Sequence, residues 1–175
     1  MAQSNDWLID ELGDLAMATR LMRLSEWTRK DVTRIYKEHK LDFESKWFPV
    51  LYVLSKKNEL GIVELANAIG YTHQSVAVLV KEMQAKKLVK SGGDKADGRK
   101  RLISLTQKAL ELVAELKGLW EDFRVVNRAI YNNGSSLLKA VEDCEAALAN
   151  EGFYERYKRL EANRTIAKTQ AQNDL

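Results

Sequence analysis

The chain is 175 residues long, 45% apolar and 30% charged, with 28 Lys and Arg against 25 Asp and Glu. That length supports a sizeable core, and a net charge of +3 is too small to mark a generally basic nucleic-acid binder. One cysteine excludes an intrachain disulfide framework, and no apolar run approaches the roughly 20 residues needed to span a bilayer. The opening Met1-Ala2-Gln3-Ser4-Asn5-Asp6 lacks the basic-then-apolar order of a secretion signal, so a cytoplasmic protein without a membrane partner is expected.

A helical pattern runs from about Trp7 to Glu38, with Leu8, Leu12, Leu15, Leu24, Trp27 and Ile35 among its apolar positions. A second covers about Ser45 to Lys56, and the single proline, Pro49, either sits near its first turn or bends it. From Leu60 to Met83 the chain reads as two short helices joined by a tight turn. Ile62, Leu65, Ala66 and Ile69 recur at helical spacing, and Gly70 follows where a helix end favours a left-handed residue. Thr72 is placed to cap the second helix, whose core stripe is Val76, Leu79, Val80 and Met83. Gln74, Val78 and Lys81 fall on the opposite face.

A basic hairpin follows. Val89-Lys90-Ser91 can pair back onto Leu102-Ile103-Ser104-Leu105, with Ile103 and Leu105 alternating with Leu102 and Ser104 at strand period. Gly92, Gly93 and Gly98 permit the positive φ angles of a bent connection, and Lys95, Arg99, Lys100 and Arg101 project from it. Such a local positive patch on a near-neutral chain suits phosphates, although an ordinary solvated hairpin fits the same residues. The upstream helices decide between these readings. Helix, Gly-containing turn, helix and basic hairpin is the order of a winged helix-turn-helix.

These residues resemble MarR-type transcriptional regulators. The resemblance rests on Glu64-Leu65-Ala66, on Ser75-Val76 with Leu79-Val80, and on Asp97-x-Arg99 with Ile103-x-Leu105-Thr106; it spans roughly residues 10 to 150. The chain is also similar to a subgroup in which the module precedes an acetyltransferase domain; with the chain stopping at Leu175, no such domain is expected.

Thr106 is well placed to cap a long helix to about Tyr131, which Asn132-Asn133-Gly134 ends. Ser135 can start another through Ala149, carrying Leu137, Val141, Cys144 and Leu148 at the spacing of a helix-pairing seam. Beyond Gly152, Phe153, Tyr154 and Tyr157 predict a further helical segment that packs, and from Ala167 the polar tail should fray. These stripes exceed what one small domain can bury, so a helical dimer interface made by both chain ends is expected. The resemblance implies the same arrangement. The expected fold is mainly α: a single MarR-like domain over residues 1–175, with a winged helix-turn-helix lobe at 42–106 and a helical dimerisation region at 5–40 and 107–165. Two recognition helices about 34 Å apart would meet successive major grooves of double-stranded DNA.

Thr72, His73 and Ser75 gather at a helix amino end, where free N–H groups and the helix dipole favour a phosphate. Gln74 can pair with adenine, Val78 can touch a thymine methyl, and Lys81 can reach a phosphate, or Gln74 and Lys81 are simply solvated. Val78 departs from the polar or basic residue the family often has there. By the resemblance, Arg99 enters the minor groove and Asp97 orients it; a local Asp97–Arg99 pair that stiffens the hairpin is compatible with that role. Lys95, Lys100 and Arg101 suit phosphate contacts.

His39, His73 and Cys144 do not form a metal-ligand spacing, and no nucleophile triad or phosphate-binding glycine loop is present, so neither a cofactor nor an enzyme is expected. Cys144, in an apolar stripe, is expected to pack as a small hydrophobe. Trp27, Tyr36, His39, Trp47 and Phe48 either line an effector pocket between dimer interface and DNA lobe or belong to the core. The expected function is a homodimeric, sequence-specific repressor of transcription relieved by a small-molecule effector. The alternative is a helical dimeric interaction module that uses its wing for protein contacts.

Overall fold

A 3₁₀ turn over Gly13–Ala16 leads into the first long helix, α1 (Met17–Glu38). In the computed structural model the described residues are 11–93, 101–132 and 136–173. They fall into two compact units, Met1–Leu116 and Lys117–Leu175. A second 3₁₀ turn, Ser45–Trp47, opens α2 (Phe48–Lys57). Pro49 sits in the first turn of α2, where its missing N–H sacrifices no helical hydrogen bond. α3 (Ile62–Ile69) and α4 (His73–Ala85) form the helix-turn-helix.

Three of these helices stop by the same closure. Leu41 N bonds Tyr36 O, Tyr71 N bonds Ala66 O and Leu88 N bonds Met83 O, at 2.9, 3.0 and 2.9 Å. Each closure needs a left-handed residue just before the donor, supplied by Lys40 (φ 57°), Gly70 (φ 70°) and Lys87 (φ 58°). Only Gly70 takes that conformation without a steric cost.

The sheet has the order β1-β3-β2, from Glu59–Gly61, Val89–Gly93 and Arg101–Leu105, all antiparallel. The β2–β3 register pairs Val89 with Leu105 and Gly93 with Arg101. Ile103 and Leu105 point into the core while Leu102 and Ser104 are half-buried, as the alternation predicts. Two corrections arise here. Leu60 belongs not to a helix but to β1, paired with Ile103, and α3 starts only at Ile62. Gly92 and Gly93 do not take positive φ; they continue the β2 ladder.

The first unit closes around Leu51 and Leu54 of α2, Leu65 of α3, Val76 and Met83 of α4, and Leu88 before β2, all buried. Fully burying each such side chain contributes roughly 1.5–3 kcal/mol. Thr106 links sheet to helix. Its Oγ1 accepts from Ala109 N at 3.2 Å, capping α5 (Gln107–Tyr131), and donates to Lys87 O at 2.7 Å.

In the second unit α6 (Leu137–Asn150) is capped by Ser136, whose Oγ accepts from Lys139 N at 3.2 Å; the expected Ser135 lies outside the described residues. Arg156 of α7 (Phe153–Asn173) donates to Ala147 O and Glu151 O, both at 2.8 Å, and so fixes the α6–α7 corner. α6 buries no residue in the single chain, and Cys144 is exposed, not packed. Phe153 (79%), Tyr154 and Tyr157 are also exposed instead of packing. The tail does not fray at Ala167: α7 continues to Asn173.

Candidate nucleic-acid interface

α4 forms where a capping threonine precedes an apolar stripe of helical period. Thr72 Oγ1 accepts from Ser75 N at 3.2 Å and lies 2.9 Å from Ser75 Oγ, so one orphan amide of the first turn is satisfied. Val76, Leu79, Val80 and Met83 are buried. Thr72, His73, Gln74, Ser75, Val78 and Lys81 are all exposed on one outward surface. Val78 is 57% exposed, a branched apolar side chain in water among polar neighbours.

The orientation of α4 depends on an anchor that the sequence pattern does not announce. One oxygen of Glu82, Oε2, accepts from Trp47 Nε1 at 2.8 Å and from Lys46 Nζ at 2.8 Å. Hydrogen bonding from Lys46, and secondly from Trp47, holds the Glu82 carboxyl below the usual carboxylate range. The same Glu82 contact raises Lys46 above the ordinary lysine value. Lys86, just past α4, adds an ion pair to Asp42 at 2.9 Å. Both partners are well exposed, so this second link contributes little stability.

Beside the outward face of α4 runs a cleft of about 520 Å³, lined in part by Arg29, Lys46, Phe48, Tyr71, Ser75 and Val78. Arg29, Lys46 and Tyr71 were not legible as site residues, because they come from three separate segments. Tyr71 alone had a local signal: an aromatic between Gly70 and the cap Thr72 has little core to enter, and it is exposed.

The wing stem is β2 with β3, and Arg101, at the start of β3, is exposed. Lys95, Asp97, Arg99 and Lys100 lie outside the described residues. The five residues weighed as effector pocket or as core differ in their surroundings. Tyr36 and Trp47 are buried, each edge-on to Phe43 with ring centroids 5.2 and 6.0 Å away. Trp27 and His39 are exposed, and Phe48 alone lines the cleft beside α4. These two buried aromatics act as core because Phe43, between them in sequence, completes their stack. Among the described residues no cluster of His, Cys, Asp or Glu could hold a metal ion, and no helix is long and apolar enough to cross a membrane.

Residues 41–100 match the family model described as the MarR family. The match covers the segment from the end of α1 through the helix-turn-helix and into the β2–β3 connection, about a third of the chain. The fold extends the likeness beyond it. BldR, a transcriptional regulator from Sulfolobus solfataricus, superposes with a TM-score of 0.59 at 18% identity, covering 79% of this chain and 96% of that one. A MarR protein from Peptoclostridium difficile gives 0.63 at 21% identity, covering 81% and 92%. BpsR from Bordetella bronchiseptica, whose DNA binding is regulated by 6-hydroxynicotinic acid, gives 0.55 at 18% identity, covering 76% and 92%. No curated protein matches the chain. The chain thus shares its fold with these regulators, and its residues 41–100 are similar to the MarR family.

Proposed function

We propose that the protein is a homodimeric, sequence-specific binder of double-stranded DNA that represses transcription in the cytoplasm and is released by a small-molecule effector. The observation that carries this reading is the outward face of α4: Gln74, Val78 and Lys81 stand exposed on a helix whose opposite face is buried and whose first turn is capped. Gln74 reads adenine and Val78 meets a thymine methyl, while Thr72, His73 and Ser75 seat a phosphate at the helix N-terminus. Lys81, Lys95, Lys100 and Arg101 supply phosphate contacts, and Arg99, oriented by Asp97, enters the minor groove.

Dimerisation accounts for apolar side chains that the single chain leaves in water. Met17, Met22 and Trp27 of α1 and Leu148, Phe153 and Tyr157 near the other end are all more than half exposed. A second copy covering them turns a liability into an interface. The effector is a small molecule, as BpsR has in 6-hydroxynicotinic acid. It acts by binding one arrangement of the two lobes more tightly than the other.

The test is selection of duplexes from a random-sequence pool, followed by anisotropy titration of the enriched duplex. Enrichment of a pseudo-palindrome is expected. A pool that stays random would remove the DNA-binding reading.

A further inference from the structure

A second cleft, about 580 Å³, lies against α1 and is lined by Arg29, Lys30, Arg34, Lys37 and Lys46 together with Glu26 and Glu44. Two of these cations are engaged: Arg34 with Glu38 at 2.9 Å, and Lys46 with Glu82 at 2.8 Å. Arg29, Lys30 and Lys37 have no ionic partner among the described residues and are exposed. Arg29, Ser45 and Lys46 line this cleft and also the cleft beside α4. The cations of α1 therefore adjoin the cleft that Ser75 and Val78 line, with Arg29 and Lys46 common to both.

We propose that this ridge of α1, Arg29 through Lys37 with Lys46 at its foot, is a further DNA contact that grips the phosphate backbone flanking the groove entered by α4. The proposal rests on the DNA-binding reading above. Arg29 and Lys37 are eight residues apart, about 12 Å along a helix axis, so the ridge reaches more than one phosphate. Its chemistry favours a backbone over a small anion. No residue lining the cleft is buried, so no preoriented polar group waits for a compact ligand. The two hydroxyls at its centre are already used: Thr33 Oγ1 lies 3.0 Å from Ser45 Oγ, which donates to Arg29 O at 3.4 Å. These bonds hold the Ser45–Trp47 turn against α1 and leave Arg29, Lys30 and Lys37 as the recognition groups. Exposed cations on successive helical turns neutralise phosphates without reading bases.

The experiment compares wild type, Arg29→Ala/Lys37→Ala and Gln74→Ala on the duplex enriched by selection and on a scrambled duplex, across a salt series. The double variant should weaken both duplexes by the same factor and flatten the log K against log salt slope by about 0.9 per contact removed. Arg29→Lys/Lys37→Ala should recover one contact's share, because counterion release follows charge. Wild-type slope and affinity in the double variant, with Gln74→Ala still losing sequence preference, would overturn the ridge and leave the DNA-binding reading intact. Failure of the wild type to bind any duplex would overturn both. Unchanged DNA binding with loss of a melting-temperature rise given by inorganic phosphate would make the ridge a small-anion site, against the proposal.

Discussion

Trp47 Nε1 donates to Glu82 Oε2 across 2.8 Å and 35 positions of sequence, tying α4 to the turn that opens α2. Trp47 is buried, so its indole N–H has no water to fall back on. Glu82→Ala leaves that donor unpaired, and a loss of about 1–3 kcal/mol is expected in chemical denaturation. Most of it comes from the indole and little from Lys46, whose pair with Glu82 is about one-third exposed on both sides. Trp47→Phe/Glu82→Ala should cost less than the two single changes added together.

The same contact sets a pH dependence. The folded state lowers the Glu82 pKa, so its contribution is present above the unfolded carboxylate value and is lost as pH falls through the lowered one. Lys46 is raised, so its contribution holds below the unfolded lysine value and disappears as pH rises through the raised one. Thermal melts should show the difference between wild type and Glu82→Gln narrowing at the acid end. A difference that stays constant down to the acid limit would disprove the coupling.

Lys40 is exposed and left-handed at φ 57°, at the position where Gly70 closes α3. Lys40→Gly removes a steric cost of about 1–2 kcal/mol and adds unfolded-state entropy that offsets part of it. A net stabilisation of about 0.5–1 kcal/mol is expected from equilibrium unfolding. Destabilisation would show that Lys40 has a contact worth more than its strain.

How much was legible depended on whether the signal was local. The α4 stripe, its Thr72 cap, the Gly70 stop and the β2–β3 alternation each sit within one period of their element, and all were read from sequence. β1 was not, because three residues are too few to show period two, and Leu60 fits a helical pattern equally well. The Glu82 anchor joins segments far apart, and no spacing rule brings them together. Composition left Trp27, Tyr36, His39, Trp47 and Phe48 open between core and pocket; burial assigns Tyr36 and Trp47 to the core, while Trp27 and His39 are exposed.

The dimer proposal predicts that Val141→Asp/Leu148→Asp separates the subunits. Val141 is half-buried and Leu148 is exposed in the single chain, so both carboxylates are tolerated in a monomer but are unpaired in an apolar seam. Sedimentation should give a dimer for wild type and a monomer for the variant, each with unchanged helicity. A wild type that sediments as a monomer at micromolar concentration removes the two-lobe arrangement.

Arg99→Ala should weaken binding by on the order of 1–3 kcal/mol, most on sites with narrow A·T-rich flanks, without altering the melting temperature. A lowered melting temperature with unchanged affinity would assign Arg99 to a structural pair with Asp97.

The central claim is that the outward face of α4 reads DNA sequence. It is tested most directly by titrating wild type and Gln74→Ala against a panel of the selected duplex with every single base-pair change. Wild type should discriminate at each half-site by about 1–3 kcal/mol per mismatch, and Gln74→Ala should lose that discrimination at one A·T position only. Equal affinity of the wild type for every duplex in the panel would contradict the account.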